Sequence, residues 1–329
     1  MSEQHLVLGI GELLWDVLPD GVRLGGAPAN FAVMAGRLGE RAAILSRVGR
    51  DELGRDAIER LGAMPVETSF VQVDPTHETG RVTVNFSGGE PQYTIQGPAA
   101  WDFLEHSDEW IQLAERADAI CFGSLAQRGA DSRAAIQSLI ASCREDCIRI
   151  FDVNLRAPFY SAEVIEESLE LATVVKMNED ETPIVMKLLG LGLDEKAAEP
   201  RGRTGTEGRA GIEEPVGANF LLRAAEGLLA EFPALELVAV TKGGSGSLLV
   251  TRGEWHEHAG FPVKVTDAVG AGDAFTAAMT HYMLRDADLA TLNEAGNRWG
   301  SWVASQSGAM PALTDAVRQE ITRAIEEPR

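Results

Sequence analysis

Short apolar runs alternate along the chain with longer stretches in which apolar residues recur every three or four positions. The short runs predict buried β-strands at 6–10, 42–48, 119–124, 148–153, 174–177 and 237–241. The longer stretches predict amphipathic helices at 28–39, 51–63, 131–144, 162–171, 218–231 and 271–284. Strands that alternate with helices predict an α/β fold, with a mainly parallel sheet covered by helices on both faces.

Two more polar regions interrupt this alternation. Each contains short β-type segments, which predict a second, smaller sheet that stands apart from the first. The expected small sheet comprises residues 13–24 and 69–105, and the expected α/β core comprises 1–12, 25–68 and 106–329. Residues 193–217 are rich in Gly, Glu and Arg, lack apolar periodicity and predict a mobile surface loop.

Composition narrows the class of protein. The chain has 329 residues, 45% of them hydrophobic, which is enough for a large core. A formal net charge of −21 argues against nucleic acid as a partner, because a phosphate backbone requires a positive surface. The sequence contains neither a long apolar run nor a basic leader, so we expect a cytoplasmic protein that does not enter a membrane.

A glycine-rich turn precedes the last of the predicted helices. Gly270 and Gly272 flank Ala271, and such glycines let successive N–H groups converge on one anion. The positive end of the helix that follows favours the same negative charge. A phosphate bound there would repel the carboxylate of Asp273. A carboxylate in that place therefore indicates a general base, which takes a proton from an attacking hydroxyl. The alternative is an ordinary acid in the first turn of a helix.

A second motif lies more than two hundred residues upstream, at Gly25-Gly26-Ala27-Pro28-Ala29-Asn30. Pro28 suits the first turn of a helix, which places Asn30 early on that helix. The paired glycines let the backbone approach a ligand closely, and an amide side chain both donates to and accepts from hydroxyl groups. The motif predicts recognition of a polyol.

Together, in this order and at this separation, the two motifs resemble the ribokinase, or phosphofructokinase-B, family of carbohydrate kinases, over about residues 5–315. The resemblance implies a three-layer α/β/α sandwich whose small β-sheet acts as a lid over the sugar. It also implies ATP and Mg²⁺ as cofactors, a small-molecule sugar as acceptor, and a homodimer formed through the lid.

The resemblance further implies roles for particular residues of this chain. Asp273 would be the base, the Gly270-Ala271-Gly272 turn would stabilise charge on the transferred phosphoryl group, and Arg156 would face the sugar or that group. The implied sugar-binding residues are Asp16, Gly26, Asn30, Tyr93, Gln127 and Asn154. For Asp16, the alternative is an exposed acid beside a turn.

The implied nucleotide-binding residues are Asn178, Thr241, Gly243, Gly246 and Asn297. Glu181 would hold Mg²⁺ through water, since carboxylates suit that ion. A potassium ion would be bound by backbone carbonyl groups of Asp267, Val269, Val303 and Gly308. The alternative is a packed loop that holds the turn without an ion.

The sequence gives the least information about which acceptor is phosphorylated. Ala27-Pro28 stands where ribokinases carry Lys-Gly, which favours a fructokinase-like member that phosphorylates the primary hydroxyl of D-fructose. Ribokinase, 2-keto-3-deoxygluconate kinase and nucleoside kinase activities remain open. A catalytically silent sugar-binding regulator is the alternative from a different class, and the intact Asp273 and glycine turn argue against it.

Overall fold

The computed structural model describes residues 4–18, 21–87, 90–192 and 217–327. The strands in these ranges are β1 (Leu6–Ile10), β2 (Leu14–Leu18), β3 (Gly21–Gly25), β4 (Arg41–Gly49), β5 (Val71–Asp74), β6 (Gly80–Ser87), β7 (Glu90–Ile95), β8 (Ala119–Gly123), β9 (Ile148–Asp152), β10 (Val174–Asn178), β11 (Leu237–Thr241), β12 (Ser247–Val250) and β13 (Trp255–His258). The α-helices are α1 (Ala27–Leu38), α2 (Glu52–Gly62), α3 (Asp108–Ala114), α4 (Ala130–Ala141), α5 (Ala162–Leu171), α6 (Glu181–Leu188), α7 (Gly217–Glu231), α8 (Ala271–Met283), α9 (Leu289–Ala304) and α10 (Asp315–Glu326).

Nine of the described strands form one large sheet, in the order β13-β12-β11-β10-β9-β8-β1-β4-β5. The seven strands from β11 to β5 pair in parallel, and β12 and β13 add an antiparallel edge. All six strands predicted from apolar runs are present in this sheet, so the predicted α/β class is confirmed. A strand that is buried on both faces carries a continuous apolar run, which is why these six were recognisable.

Helices cover both faces of the large sheet. Val7 of β1 packs into a core with α1, α8 and α9, whereas the next residue, Leu8, packs into a core with α3 to α7. Adjacent strand residues point to opposite faces, so the two cores lie on opposite sides of the sheet. This is the three-layer arrangement that the sequence predicts.

The predicted small sheet is also present, in the order β3-β2-β6-β7. One part of the prediction is wrong. Residues 69–105 were expected to belong to the small sheet, but Val71–Asp74 pairs in parallel with β4 at the edge of the large sheet. The small sheet therefore takes its strands from residues 14–25 and 80–95. The remaining domain boundaries stay a prediction.

Two glycines fix the ends of the helices that matter for the site. Gly39 ends α1 with a φ of 108°, and Gly270 begins α8 with a φ of 79°; both values favour glycine. These bounds agree with the predicted helices at 28–39 and 271–284. The predicted loop at 193–217 lies outside the described residues except for Gly217, with which α7 begins. Among the described helices, none has both the length and the apolar character needed to cross a bilayer.

Candidate active site

The predicted catalytic residues meet at the carboxyl edge of the large sheet, where ligands bind in open α/β folds. Asp273 lies in the first turn of α8 and is half-buried. Asn30, in the first turns of α1, donates its side-chain amide to Asp273 Oδ2 at 2.7 Å. The two sequence motifs are therefore joined by a direct hydrogen bond.

Burial and the negative charge of Asp152 raise the pKa of Asp273 to about 6, whereas Lys176, the Asn30 hydrogen bond and Arg156 lower it. A carboxylate with this pKa is mostly ionised at neutral pH, yet it binds a proton more readily than an ordinary aspartate. These properties suit a general base.

The first turn of α8 presents unpaired N–H groups. The Ala271 amide donates to Ala268 O at 3.2 Å, and the first helical bond is from the Ala274 amide to Gly270 O at 2.9 Å. Within the described part of the chain, the amides of Gly272 and Asp273 have no hydrogen-bond partner. Two unpaired amides at a helix N-terminus fit a phosphate oxygen.

Lys176 adds a positive charge beside this turn, and the sequence analysis missed it. Its Nζ would lie 2.9 Å from a Cβ placed on Gly272. The same Nζ is 3.1 Å from Asp152 Oδ1, in an ion pair whose side chains are 8% and 4% exposed. Burial lowers the pKa of Lys176, but the carboxylates of Asp152, Glu181 and Asp273 raise it, so it stays above its ordinary value. The lysine is charged, and its ammonium group lies next to Gly272 in the first turn of α8.

Asp152 is held from a second side. Thr276 Oγ1, one turn into α8, donates to Asp152 Oδ2 at 3.2 Å. Lys176 and Asp152 are register partners on β10 and β9, so their side chains share one face of the sheet. The ion pair therefore links two central strands to the helix that carries Asp273.

Glu12 is a second residue that the sequence analysis missed. It follows β1, is 3% exposed, and its Oε1 accepts the Ala27 amide at 3.3 Å. Its Oε2 is buried without a hydrogen-bond partner among the described residues. The pKa of Glu12 is raised to about 7, mainly by burial and also by the charge of Asp273, whereas backbone hydrogen bonds and Arg156 lower it. A polar residue close behind a buried strand was the available signal, because ligands bind at that edge of an open α/β sheet.

Three of the predicted sugar-binding residues lie on the elements that follow Glu12 or contact it: Asp16 on β2, and Gly26 and Asn30 at the start of α1. Gly26 has a φ of 118°, and a Cβ there would come within 2.3 Å of Glu12 O, so only glycine fits. Burial raises the pKa of Asp16, which lies on β2, while Arg156 and Arg23 lower it and Asp267 raises it. Asn30 Oδ1 is buried and unpaired among the described residues. An unpaired amide oxygen can accept a hydrogen bond from a hydroxyl group, and its contact with a sugar stays a prediction.

The loop after β9 supplies the positive charge that faces these acids. Asn154 adopts a φ of 38°, in the left-handed region that asparagine tolerates, and the loop then leads to the exposed Arg156. The charge of Arg156 lowers the pKa values of Glu12, Asp16 and Asp273. Contacts of Asn154 and Arg156 with a ligand stay predictions.

Three predicted residues are not brought into this cluster by any described contact. Gln127 is 2% exposed, and its Nε2 donates to Gly123 O and Ser168 Oγ, both at 2.9 Å, which ties it to α5. Asn297 donates to Ser247 Oγ at 2.7 Å and to Asn293, in a buried network between α9 and β12. The side chain of Tyr93 lies outside the described residues.

Asn178 and Glu181 form a reciprocal cap at the start of α6. Asn178 Oδ1 accepts the Glu181 amide, and Glu181 Oε2 accepts the Asn178 amide, both at 2.8 Å. Glu181 Oε1 accepts the Leu155 amide at 2.8 Å. Each carboxylate oxygen already has a backbone partner, and the described residues contain no group of three acids, histidines or cysteines that could hold a metal. Binding of Mg²⁺ by Glu181, through water, stays a prediction.

The predicted nucleotide loop joins β11 to β12 at the same edge of the sheet. Thr241 ends β11, and the loop turns through Gly243 and Gly246, with φ values of 53° and 87°. Gly243 is open to solvent, whereas a Cβ on Gly246 would meet His258 O at 1.9 Å. The backbone of the loop is therefore exposed at Gly243 and closely packed at Gly246. Contact of this loop with a nucleotide stays a prediction.

The segments predicted to hold potassium lie next to each other. The amides of Thr266 and Asp267 donate to Ala304 O at 2.8 and 3.2 Å, which joins the segment before the turn to the end of α9. Val303 O accepts the Gln306 amide at 2.9 Å, and Gly308 has a φ of 78°. Val269 is 53% exposed. Coordination of an ion by their carbonyl groups stays a prediction.

Comparison with known proteins gives consistent results. A family model described as pfkB family carbohydrate kinase matches residues 20–316. The chain is 28% identical to a putative sugar kinase from Pyrococcus horikoshii, over 92% of this chain and 91% of that protein. It is also 28% identical to a fructokinase from Escherichia coli, over 95% of this chain and 96% of that protein.

A solved fructokinase from Vibrio cholerae has the same architecture. Its structure with fructose, ADP and calcium ion superposes with a TM-score of 0.76 at 26% identity, covering 97% of this chain and 99% of that chain. A double mutant of the same enzyme was solved with fructose, ADP and potassium ion, and it superposes with a TM-score of 0.76 at 25% identity, covering 98% of this chain and 99% of that chain.

Proposed function

The chain belongs to the pfkB family of carbohydrate kinases, and we propose that it transfers the γ-phosphoryl group of ATP to the primary hydroxyl of D-fructose. ATP-dependent phosphotransfer to a carbohydrate is the activity of the family. The choice of fructose is the part proposed for this chain. It is supported by the Ala27-Pro28 pair in the acceptor motif and by the full-length similarity to fructokinases.

The observation that carries the proposal is the hydrogen bond from Asn30 to Asp273 Oδ2 beside two unpaired amides. Because Oδ2 is engaged by Asn30, Oδ1 of Asp273 is the oxygen that would accept the proton of the attacking hydroxyl. Asn30 Oδ1 would accept a hydrogen bond from a second hydroxyl, so one amide side chain would orient the acceptor and the base together.

The chain's cationic and N–H groups would act at the opposite side of the reacting centre. ATP, when bound, supplies the phosphoryl group, and Mg²⁺ neutralises part of its charge. The amides of Gly272 and Asp273 would donate to the transferred group as negative charge develops on it. Lys176 Nζ, fixed by Asp152, would stabilise the same charge without having to reorganise. Arg156 would offset the repulsion between bound phosphate and the acids of the sugar pocket.

A potassium ion beside the turn is a further part of the proposal. Carbonyl groups of Asp267, Val269, Val303 and Gly308 would bind it, and it would hold the N–H groups of the turn toward the phosphate. The potassium found with the Vibrio cholerae variant supports this assignment.

A coupled assay of ADP release over a panel of acceptors tests the function. The panel contains D-fructose, D-ribose, 2-keto-3-deoxygluconate and a purine nucleoside, each with MgATP. D-Fructose should give the highest kcat/KM, and ³¹P NMR of the product should show a phosphate on a primary carbon. A tenfold higher kcat/KM for another acceptor would reject fructose and leave the kinase assignment intact. ADP release with none of them would favour a sugar-binding regulator.

A further inference from the structure

An ion pair joins the small sheet to the segment before the catalytic turn. Arg23 lies on β3, and its Nη1 is 2.6 Å from Asp267 Oδ2. The two side chains are 34% and 17% exposed, so the pair is partly shielded from solvent. A guanidinium and a carboxylate at this distance form a charge-assisted hydrogen bond, one of the stronger polar contacts in proteins.

Arg23 is also the register partner of the predicted sugar-binding acid. Asp16 on β2 pairs directly with Arg23 on antiparallel β3. Directly paired residues point to the same face of a sheet, so both side chains lie on one face of the small sheet. Consistently, Arg23 lowers the pKa of Asp16 and Asp267 raises it, after the larger effects of burial and Arg156. The acid proposed to hold the sugar and the ion pair are electrostatically connected.

Asp267 uses its two oxygens to organise the backbone around the turn. Oδ1 accepts the Val269 amide at 3.1 Å, and Oδ2 accepts the Gly308 amide at 3.1 Å in addition to Arg23. The loop containing Gly308 packs against the turn itself. A Cβ on Gly270 would lie 2.7 Å from the Cα of Ala309. The position of the Asp267 carboxylate therefore affects both sides of the anion-binding turn.

We propose that Arg23 is a positioning residue that couples closure of the small sheet over the acceptor to the formation of the phosphate-binding turn. The inference rests on the proposed kinase function. When the small sheet covers the acceptor, Arg23 holds Asp267 in the position that fixes Val269 and Gly308. When the small sheet opens, Asp267 loses its charge partner and the turn loosens. Acceptor binding thereby improves phosphate binding, and ATP binding improves acceptor binding by the same factor.

The test compares Arg23→Gln with the conservative variant Arg23→Lys and a matched control, Arg81→Gln. Arg81 lies on β6 of the same sheet, where its guanidinium pairs with Glu78 instead of the turn. The first readout is taken with a saturating concentration of the acceptor that the wild type turns over fastest, so that the small sheet is closed. Hydrogen exchange of peptides covering 266–274 and 305–310 should be faster in Arg23→Gln than in wild type, and unchanged in Arg81→Gln. Unchanged exchange in Arg23→Gln would overturn the proposal.

The second readout is the coupling factor itself. The Kd of a non-hydrolysable ATP analogue with Mg²⁺ is measured with and without the acceptor that the wild type turns over fastest. We expect about 10-fold tighter binding with acceptor in the wild type and in Arg81→Gln, less than 2-fold in Arg23→Gln, and an intermediate value in Arg23→Lys. Full coupling in Arg23→Gln, or its absence in the wild type, would contradict the proposal. Wild-type turnover, recorded in parallel, reports on the kinase function separately.

Discussion

Asn30 and Asp273 are 243 positions apart in the sequence and are joined by a 2.7 Å hydrogen bond. Asn30 lies in the first turns of α1, and Asp273 lies in the first turn of α8. The two helices pack side by side on the same face of the large sheet. The geometry of the reaction centre is thus set by the packing of α1 on α8.

The pH dependence of catalysis should follow the ionisation of Asp273. Its pKa is about 6, and the base must be ionised, so kcat/KM should rise with pH and level off above that value. Glu12 has the higher pKa of the two, about 7, so it is still mostly protonated while Asp273 ionises. Glu12→Gln should therefore leave the acid limb near pH 6, as should the control Glu78→Gln, which changes an exposed carboxylate. Loss or displacement of the limb in Glu12→Gln alone would assign it to Glu12 instead of Asp273.

Asp16→Ala should weaken acceptor binding. Hydrogen bonds to a charged group contribute roughly 1.5–3 kcal/mol, which corresponds to about a 10- to 100-fold rise in the acceptor KM. Asp16→Asn should give a smaller rise, because it keeps the hydrogen-bonding shape and loses only the charge. Steady-state kinetics with each substrate varied in turn provides the measurement. A rise confined to the KM of ATP would show that Asp16 contributes to the ATP site and not to the acceptor site.

Lys176→Met should lower kcat at least about 10-fold, since a preorganised charge at the transferred group is lost. It also leaves Asp152 buried without its partner, which costs about 3–5 kcal/mol, and the double variant with Asp152→Asn removes that buried charge. In the single variant, the Asp273 pKa should rise because Lys176 lowers it. The double variant should recover stability in thermal unfolding while kcat stays low. Recovery of kcat as well would show that Lys176 acts only through folding.

Potassium should raise kcat, and sodium should be less effective, because the ion would fix the N–H groups of the turn toward the phosphate. The measurement is kcat at constant ionic strength with potassium replaced by tetramethylammonium. An unchanged rate would reject the cation site and favour a loop that holds the turn unaided. The kinase assignment does not depend on this result.

The sequence predicted the parts of the fold in which local pattern and tertiary environment agree. The six strands buried on both faces were visible as apolar runs. Val71–Asp74 was misassigned because its sequence, Val-Gln-Val-Asp, resembles the polar segments of the small sheet. Only its pairing with β4 shows that it extends the large sheet.

The site was predictable where the backbone imposes a residue type. Gly26 and Gly270 were recognisable in the sequence as members of glycine-rich turns. The structure gives the reason for the residue type, because both have positive φ values that favour glycine. Lys176 was not recognisable, because its meaning depends on its register with Asp152 and on its distance to Gly272. Gln127 and Asn297 donate their amides within the protein, which a sequence does not reveal, and their binding of ligands stays a prediction.

The central claim is that Asp273 is the base of a sugar kinase, and single-turnover phosphoryl transfer by Asp273→Asn tests it most directly. The substitution keeps the size of the side chain and removes its ability to take the proton. The transfer rate should fall by about 10² or more, the usual scale for a positioned base, while calorimetry gives Kd values for ATP analogue and acceptor within a few-fold of wild type. A transfer rate within a few-fold of wild type would contradict the account.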